Sequence, residues 1–76
     1  MANLTVLEAP MPCNIISIKV KAGERVEFEQ PLVIFEALKM ENELTAPHAG
    51  IVKEIHVATG SSVDAGQPII TLEQGE

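Results

Sequence analysis

The chain has 76 residues, 46% of them hydrophobic with no Trp or Tyr, and a formal net charge of −6. That length allows one domain, 1–76, with an aliphatic core, and the charge argues against nucleic acid or an anionic membrane surface as partner, because both repel an acidic domain at long range. Cys13 is the only cysteine, which excludes an internal disulfide and fits a reducing compartment.

From the N-terminus, MANLTVLEAP has neither the basic region nor the long apolar run of a leader. No later segment approaches the roughly 20 apolar residues of a membrane-spanning helix. A soluble, cytoplasmic protein without membrane insertion is expected, and the starting Met1 with the short tail fits a separate small subunit. Next, Ile16, Ile18 and Val20 alternate with Ser17 and Lys19, the pattern of a strand with one buried face. Lys21-Ala22-Gly23-Glu24 supplies a turn in which Gly23 is free to take positive φ. Gln30-Pro31 then opens a strand, at a position where proline can forgo its missing donor.

The same order returns further along the chain. Residues 9–36 align without a gap on 46–73 at a constant offset of 37. Nine positions are identical: Ala9/Ala46, Pro10/Pro47, Ile18/Ile55, Val20/Val57, Gly23/Gly60, Val26/Val63, Gln30/Gln67, Pro31/Pro68 and Glu36/Glu73. In the second copy the step from Val52 to Ile55 breaks the alternation, which predicts a bulge there. One copy cannot cover its own apolar face, so the two are expected to pack about a quasi-two-fold axis. The tip hairpin, residues 37–45, then crosses near that axis at one end. Both termini fall at the other, with Leu4 to Glu8 pairing with the last strand.

Within the joint the sequence reads Glu36-Ala37-Leu38-Lys39-Met40-Glu41-Asn42-Glu43. Of the five cationic residues, Lys19, Lys21, Arg25 and Lys53 sit in or beside the repeated strands, whereas Lys39 alone has a large apolar residue on each side. Apolar side chains at a projecting tip suggest a contact surface. By spacing alone, though, a hairpin lysine is usually an ordinary solvated residue.

A resemblance changes that balance. EALKMEN, preceded by Gly-Glu-x-Val and QPL and followed by APHAGIV and GQPI, resembles the biotinyl domain of biotin-dependent carboxylases, decarboxylases and transcarboxylases, from about Val6 to Glu73. The family's Ala-Met-Lys-Met centre is matched at Ala37, Lys39 and Met40, and Leu38 replaces one methionine with a side chain of similar size. Cys13-Asn14 and Glu29 stand where the second copy has Gly50-Ile51 and Gly66. Asn14 is expected to absorb part of a turn, and Glu29 to impose a different local geometry. The gap-free repeat leaves no insertion for the protruding loop that some members carry.

The resemblance implies an all-β fold, a flattened barrel or sandwich of two four-stranded antiparallel sheets. It implies covalent biotin on Lys39, attached by a biotin-protein ligase that activates the biotin carboxylate as an adenylate for attack by the neutral amine. Glu36, Ala37, Leu38, Met40 and Glu41 are the expected recognition residues for the ligase and partners. The partners implied are biotin carboxylase and/or carboxyltransferase or decarboxylase subunits or domains, the domain itself being a carrier with no catalytic residue. A lipoyl carrier shares the fold but usually shows Asp-Lys-Ala at the tip. An unmodified structural barrel is the other alternative. Cys13, His48 and His56 have no recognised metal-ligand spacing, so no metal is expected.

Overall fold

The computed structural model describes residues 3–74, and every regular element in that span is a strand. Met1, Ala2, Gly75 and Glu76, the ends of the expected 1–76 unit, lie outside the described residues. The strands are β1 (Leu4–Glu8), β2 (Cys13–Ile18), β3 (Arg25–Val26), β4 (Pro31–Ala37), β5 (Met40–Thr45), β6 (Gly50–Ile55), β7 (Ser62–Val63) and β8 (Pro68–Gln74). They form two four-stranded sheets, ordered β1-β8-β6-β3 and β5-β4-β2-β7, with every pairing antiparallel. The result is a flattened sandwich. Among the described residues, no helix is long and apolar enough to cross a membrane.

The offset of 37 carries β2, β3 and β4 onto β6, β7 and β8 residue for residue, and β1 onto β5 less its first residue. The same shift turns one sheet order into the other. Each sheet takes its two central strands from one half and its two edges from the other. Thus β3 leaves the first half to pair with β6, and β7 leaves the second to pair with β2.

Reciprocal backbone bonds lock the exchange. The Gly23 N–H donates to the Val52 carbonyl and the Gly60 N–H to the Ile15 carbonyl, each at 2.7 Å. The identical glutamines have matching duties: Gln30 Oε1 accepts from the Glu27 N–H at 3.0 Å, and Gln67 Oε1 from the Asp64 N–H at 3.2 Å. Among the largest fully buried side chains, Ile15/Val52, Leu32/Ile69 and Val33/Ile70 are repeat partners. Each such side chain contributes about 1.5–3 kcal/mol through burial.

The predicted bulge between Val52 and Glu54 is present, and the first half carries its twin between Ile15 and Ser17. That twin corrects the expected alternation. Ile16 is the extra residue and is 40% exposed, while Ile15 is buried at 1%. The added residue lets side chains three apart, Ile15 and Ile18, turn inward together, because a bulge sets two residues against one on the neighbouring strand.

Two turn expectations also change. Asn14 lies within β2 and has no positive φ, so it absorbs no turn. Glu29 does not create a different geometry: it has φ 67°, close to the 83° of Gly66. Its N–H donates to the Ala46 carbonyl at 2.7 Å, as the Gly66 N–H does to Ala9 at 2.8 Å. The reciprocal contact between halves therefore forces a β-carbon into the left-handed region, at a cost of about 1–2 kcal/mol.

Glu29→Gly should accordingly stabilise the fold by about 1 kcal/mol, and Gly66→Ala should destabilise it by a similar amount, read as opposite shifts in the urea midpoint with unchanged slope. Leu72→Ala, which empties a fully buried site, should cost about 2–5 kcal/mol on the same measurement.

Candidate functional site

The joint between the halves is a hairpin with a two-residue loop. Ala37 ends β4, Met40 begins β5, and the two pair directly. Leu38 and Lys39 make the turn with φ 54° and 63°, the sign pattern of a type I′ turn. That turn matches the right-handed twist of the flanking strands but normally calls on Asn-Gly. Here an aliphatic residue and a lysine occupy both left-handed positions.

The consequences for placement are direct. Ala37 is buried, anchoring the last rung of the ladder, whereas Leu38 and Met40 are 82% and 64% exposed. Lys39 lies between them, exposed, and among the described residues makes no ion pair or side-chain hydrogen bond. Arg25 differs: it pairs with Glu27 at 3.5 Å. Glu36 is half-buried and stands across from the exposed Glu41, one rung below the turn. The expected recognition residues Glu36, Ala37, Leu38, Met40 and Glu41 thus occupy the end of one hairpin, with Ala37 turned inward.

The hairpin also borders an open depression that sequence reasoning did not single out. It is formed where Glu36 to Lys39 approach Pro12 to Asn14 at the start of β2 and Ser62 to Asp64 around β7. The Ser62 hydroxyl donates to Asn14 Oδ1 at 2.7 Å. Cys13 borders it with its side chain buried in the core, and loss of hydration pushes its thiol pKa up. The depression draws on three separate strands, so only the repeat equivalence of β7 with β3, which crosses between sheets, could have hinted at it.

Neither histidine joins this end. The His48 Nδ1–H donates to the Ala49 carbonyl at 2.8 Å, so its Nε2 accepts the Thr5 hydroxyl, also at 2.8 Å. His56 Nε2 lies 2.7 Å from the Thr71 hydroxyl. Among the described residues, no group of three His, Cys, Asp or Glu side chains could hold a metal ion.

Comparison with known proteins places this geometry. A family model described as biotin-requiring enzyme matches residues 5–72. The chain is 48% identical over 66 residues to a biotin carboxyl carrier protein of Streptococcus mutans, covering 87% of this chain and 51% of that protein. It is 40% identical over 65 residues to pyruvate carboxylase 1 of Caenorhabditis elegans, covering 86% of this chain and 6% of that one. A solved single-chain, multi-domain long-chain acyl-CoA carboxylase superposes with a TM-score of 0.89 at 25% identity, over 96% of this chain and 7% of the other. The chain therefore spans about half of the carrier relative and a small part of each carboxylase.

Two outcomes test this description. Leu38→Asn, which suits the left-handed turn position and removes a side chain that is mostly in water, should stabilise the hairpin by about 1 kcal/mol in equilibrium denaturation. Cys13 should resist alkylation at neutral pH until the protein unfolds. Because its folded pKa is raised, the thiol favours folding below its ordinary pKa, and that contribution fades as pH rises through the raised value.

Proposed function

The chain belongs to the biotin-requiring enzyme family, and from that membership we propose that it is a biotin carboxyl carrier unit whose Lys39 holds biotin through an amide. The observation that carries this reading is the position of Lys39. It stands at the second loop residue of a two-residue turn, exposed, on the family's motif and at the end of a closed antiparallel ladder.

Attachment needs a neutral amine, and an exposed lysine is mostly protonated at neutral pH. A biotin-protein ligase must therefore take up that proton as the amine attacks the activated biotin carboxylate. Leu38 and Met40 offer it an apolar grip on both sides of the target. Glu36 and Glu41 set the charge beside it, and buried Ala37 keeps the turn in one orientation. The amide removes the lysine's charge.

Once attached, biotin supplies a ureido nitrogen able to carry a carboxyl group. The chain's own contribution is positional: a stiff hairpin, a projecting attachment point and an acidic surround. Tethering raises the local concentration of the carried group at each partner site. Those partners are carboxylase domains or subunits: a biotin carboxylase, and a carboxyltransferase or decarboxylase. We assign the unit to the cytoplasm, in keeping with its single buried thiol.

Incubating the purified protein with biotin, ATP and a biotin-protein ligase should add one biotinyl mass. Peptide mapping should place it on Lys39, and Lys39→Arg should abolish it. A lipoyl mass on Lys39 in protein isolated from its host, with no biotin, would overturn the assignment.

A further inference from the structure

The internal symmetry of the fold supplies a control that isolates what the tip end carries beyond structural need. On the outer face of the sheet β5-β4-β2-β7, one polar row runs across all four strands directly below the turn. It consists of Ser62, Asn14, Glu36 and Glu41, each the registered neighbour of the next. The repeat offset carries these onto Arg25, Ile51, Glu73 and Leu4 at the opposite end of the other sheet. The same backbone thus accepts isoleucine where the tip has Asn14, so the fold does not require the amide.

That amide is oriented by a hydrogen bond from its neighbour on β7. Asn14 Oδ1 accepts the Ser62 hydroxyl at 2.7 Å, which turns Nδ2 away, and its two N–H groups have no partner among the described residues. Beside it, directly across β2 and β4, lies Glu36, a half-buried residue whose carboxylate also has no hydrogen bond or ion pair among the described residues. Registered cross-strand neighbours have β-carbons about 4.5–5.5 Å apart. The pair therefore places a donor group and an acceptor group side by side on adjacent strands. Ser62, Asn14, Glu36 and Lys39 all line the one depression at the tip.

We infer that Asn14, oriented by Ser62, and Glu36 form a resting site for a cyclic urea head group carried by Lys39, the Asn14 amide donating to its carbonyl and Glu36 accepting from its adjacent N–H. This rests on the carrier reading of Lys39. A urea edge offers one acceptor beside one donor, and Asn14 with Glu36 supplies the complementary order. The tether supplies the occupant, because the attachment residue itself borders the depression. A head group docked there is held near the surface between encounters, and partners compete with two hydrogen bonds to draw it out.

The test is to compare nitrogen–proton NMR spectra of the protein before and after enzymatic biotinylation, with intact mass confirming the modification. The expected result is a displaced Asn14 side-chain amide pair and a displaced Ser62 backbone amide, beyond the changes at 37–41, with cross-relaxation between ureido protons and Asn14. In Asn14→Ile, the residue used at the equivalent site, the Ser62 displacement should vanish while the fold is kept. Ser62→Ala, which frees the amide to rotate, should reduce the displacement of the Asn14 side-chain amide pair. Complete biotinylation with shifts confined to 37–41, or a Ser62 displacement that persists in Asn14→Ile, would overturn the resting site and leave the carrier reading intact. No mass gain on Lys39 would overturn both.

Discussion

Neither half of this chain can complete a sheet with its own strands, and the rest of the structure follows from that constraint. A 76-residue chain has little interior to spend on two separate cores. Exchanging β3 and β7 between the halves merges them into one. The reciprocal bonds of Gly23 to Val52 and Gly60 to Ile15 form only when both halves are folded, which makes the unit cooperative. It also explains why a costly conformation such as that of Glu29 persists. The contact from Glu29 to Ala46 has a twin from Gly66 to Ala9, and giving it up would unpick one side of a two-sided lock.

The tip inherits its stiffness from this arrangement. Pairing runs through to Ala37 and Met40, so only Leu38 and Lys39 lie outside the ladder. A longer loop would avoid two residues at positive φ but would let the lysine wander. The short turn fixes where its backbone points and leaves the motion to its side chain. For the carrier role proposed for Lys39, that division is useful: the base is reproducible and the arm is mobile. Leu38 and Met40 cannot reach the core from here, and their exposure follows from the turn geometry alone.

Much of this was legible in the sequence. Nine identities at one offset located the halves and the joint, and the Gln-Pro pairs marked where β4 and β8 begin. The predicted second-half bulge was visible because Lys53 and Glu54 interrupt the apolar pattern. Its twin was hidden because Ile15 and Ile16 are both apolar, and composition could not say which faced inward. Glu29 misled because side-chain preference is local, while its φ is imposed by the partner half. The depression at the tip was out of reach, since Asn14 and Ser62 are far apart in sequence and meet only through the strand exchange. As for Lys39, patterning marked it as unusual among the cations, but only the motif around it attached a chemistry.

The two ends share a backbone plan, so differences between equivalent residues cannot be charged to the fold. At the far end, Leu4, Val6 and Ile51 face outward, and His48 fastens β1 to the neighbouring turn through Thr5. At the tip end the equivalents are Glu41, Glu43, Asn14 and Met11, and the side chain of Asn42, the counterpart of Thr5, bonds among the described residues only back to the Met40 carbonyl at 3.2 Å. The far end is tied down and more apolar on its outer face than the tip end, which is acidic and less bound. Glu36 and Glu41 even oppose each other across adjacent strands, an arrangement of like charges that costs stability. That cost falls at the tip alone: the far-end equivalent of the pair is Glu73 opposite Leu4. A repeat that began as two equal halves would have no reason to diverge in this direction for packing, since both outer faces see water. The divergence fits the proposed roles of the two ends: a hydrated, accessible attachment point at the tip, and at the other the start of β1 paired with the last residues of β8.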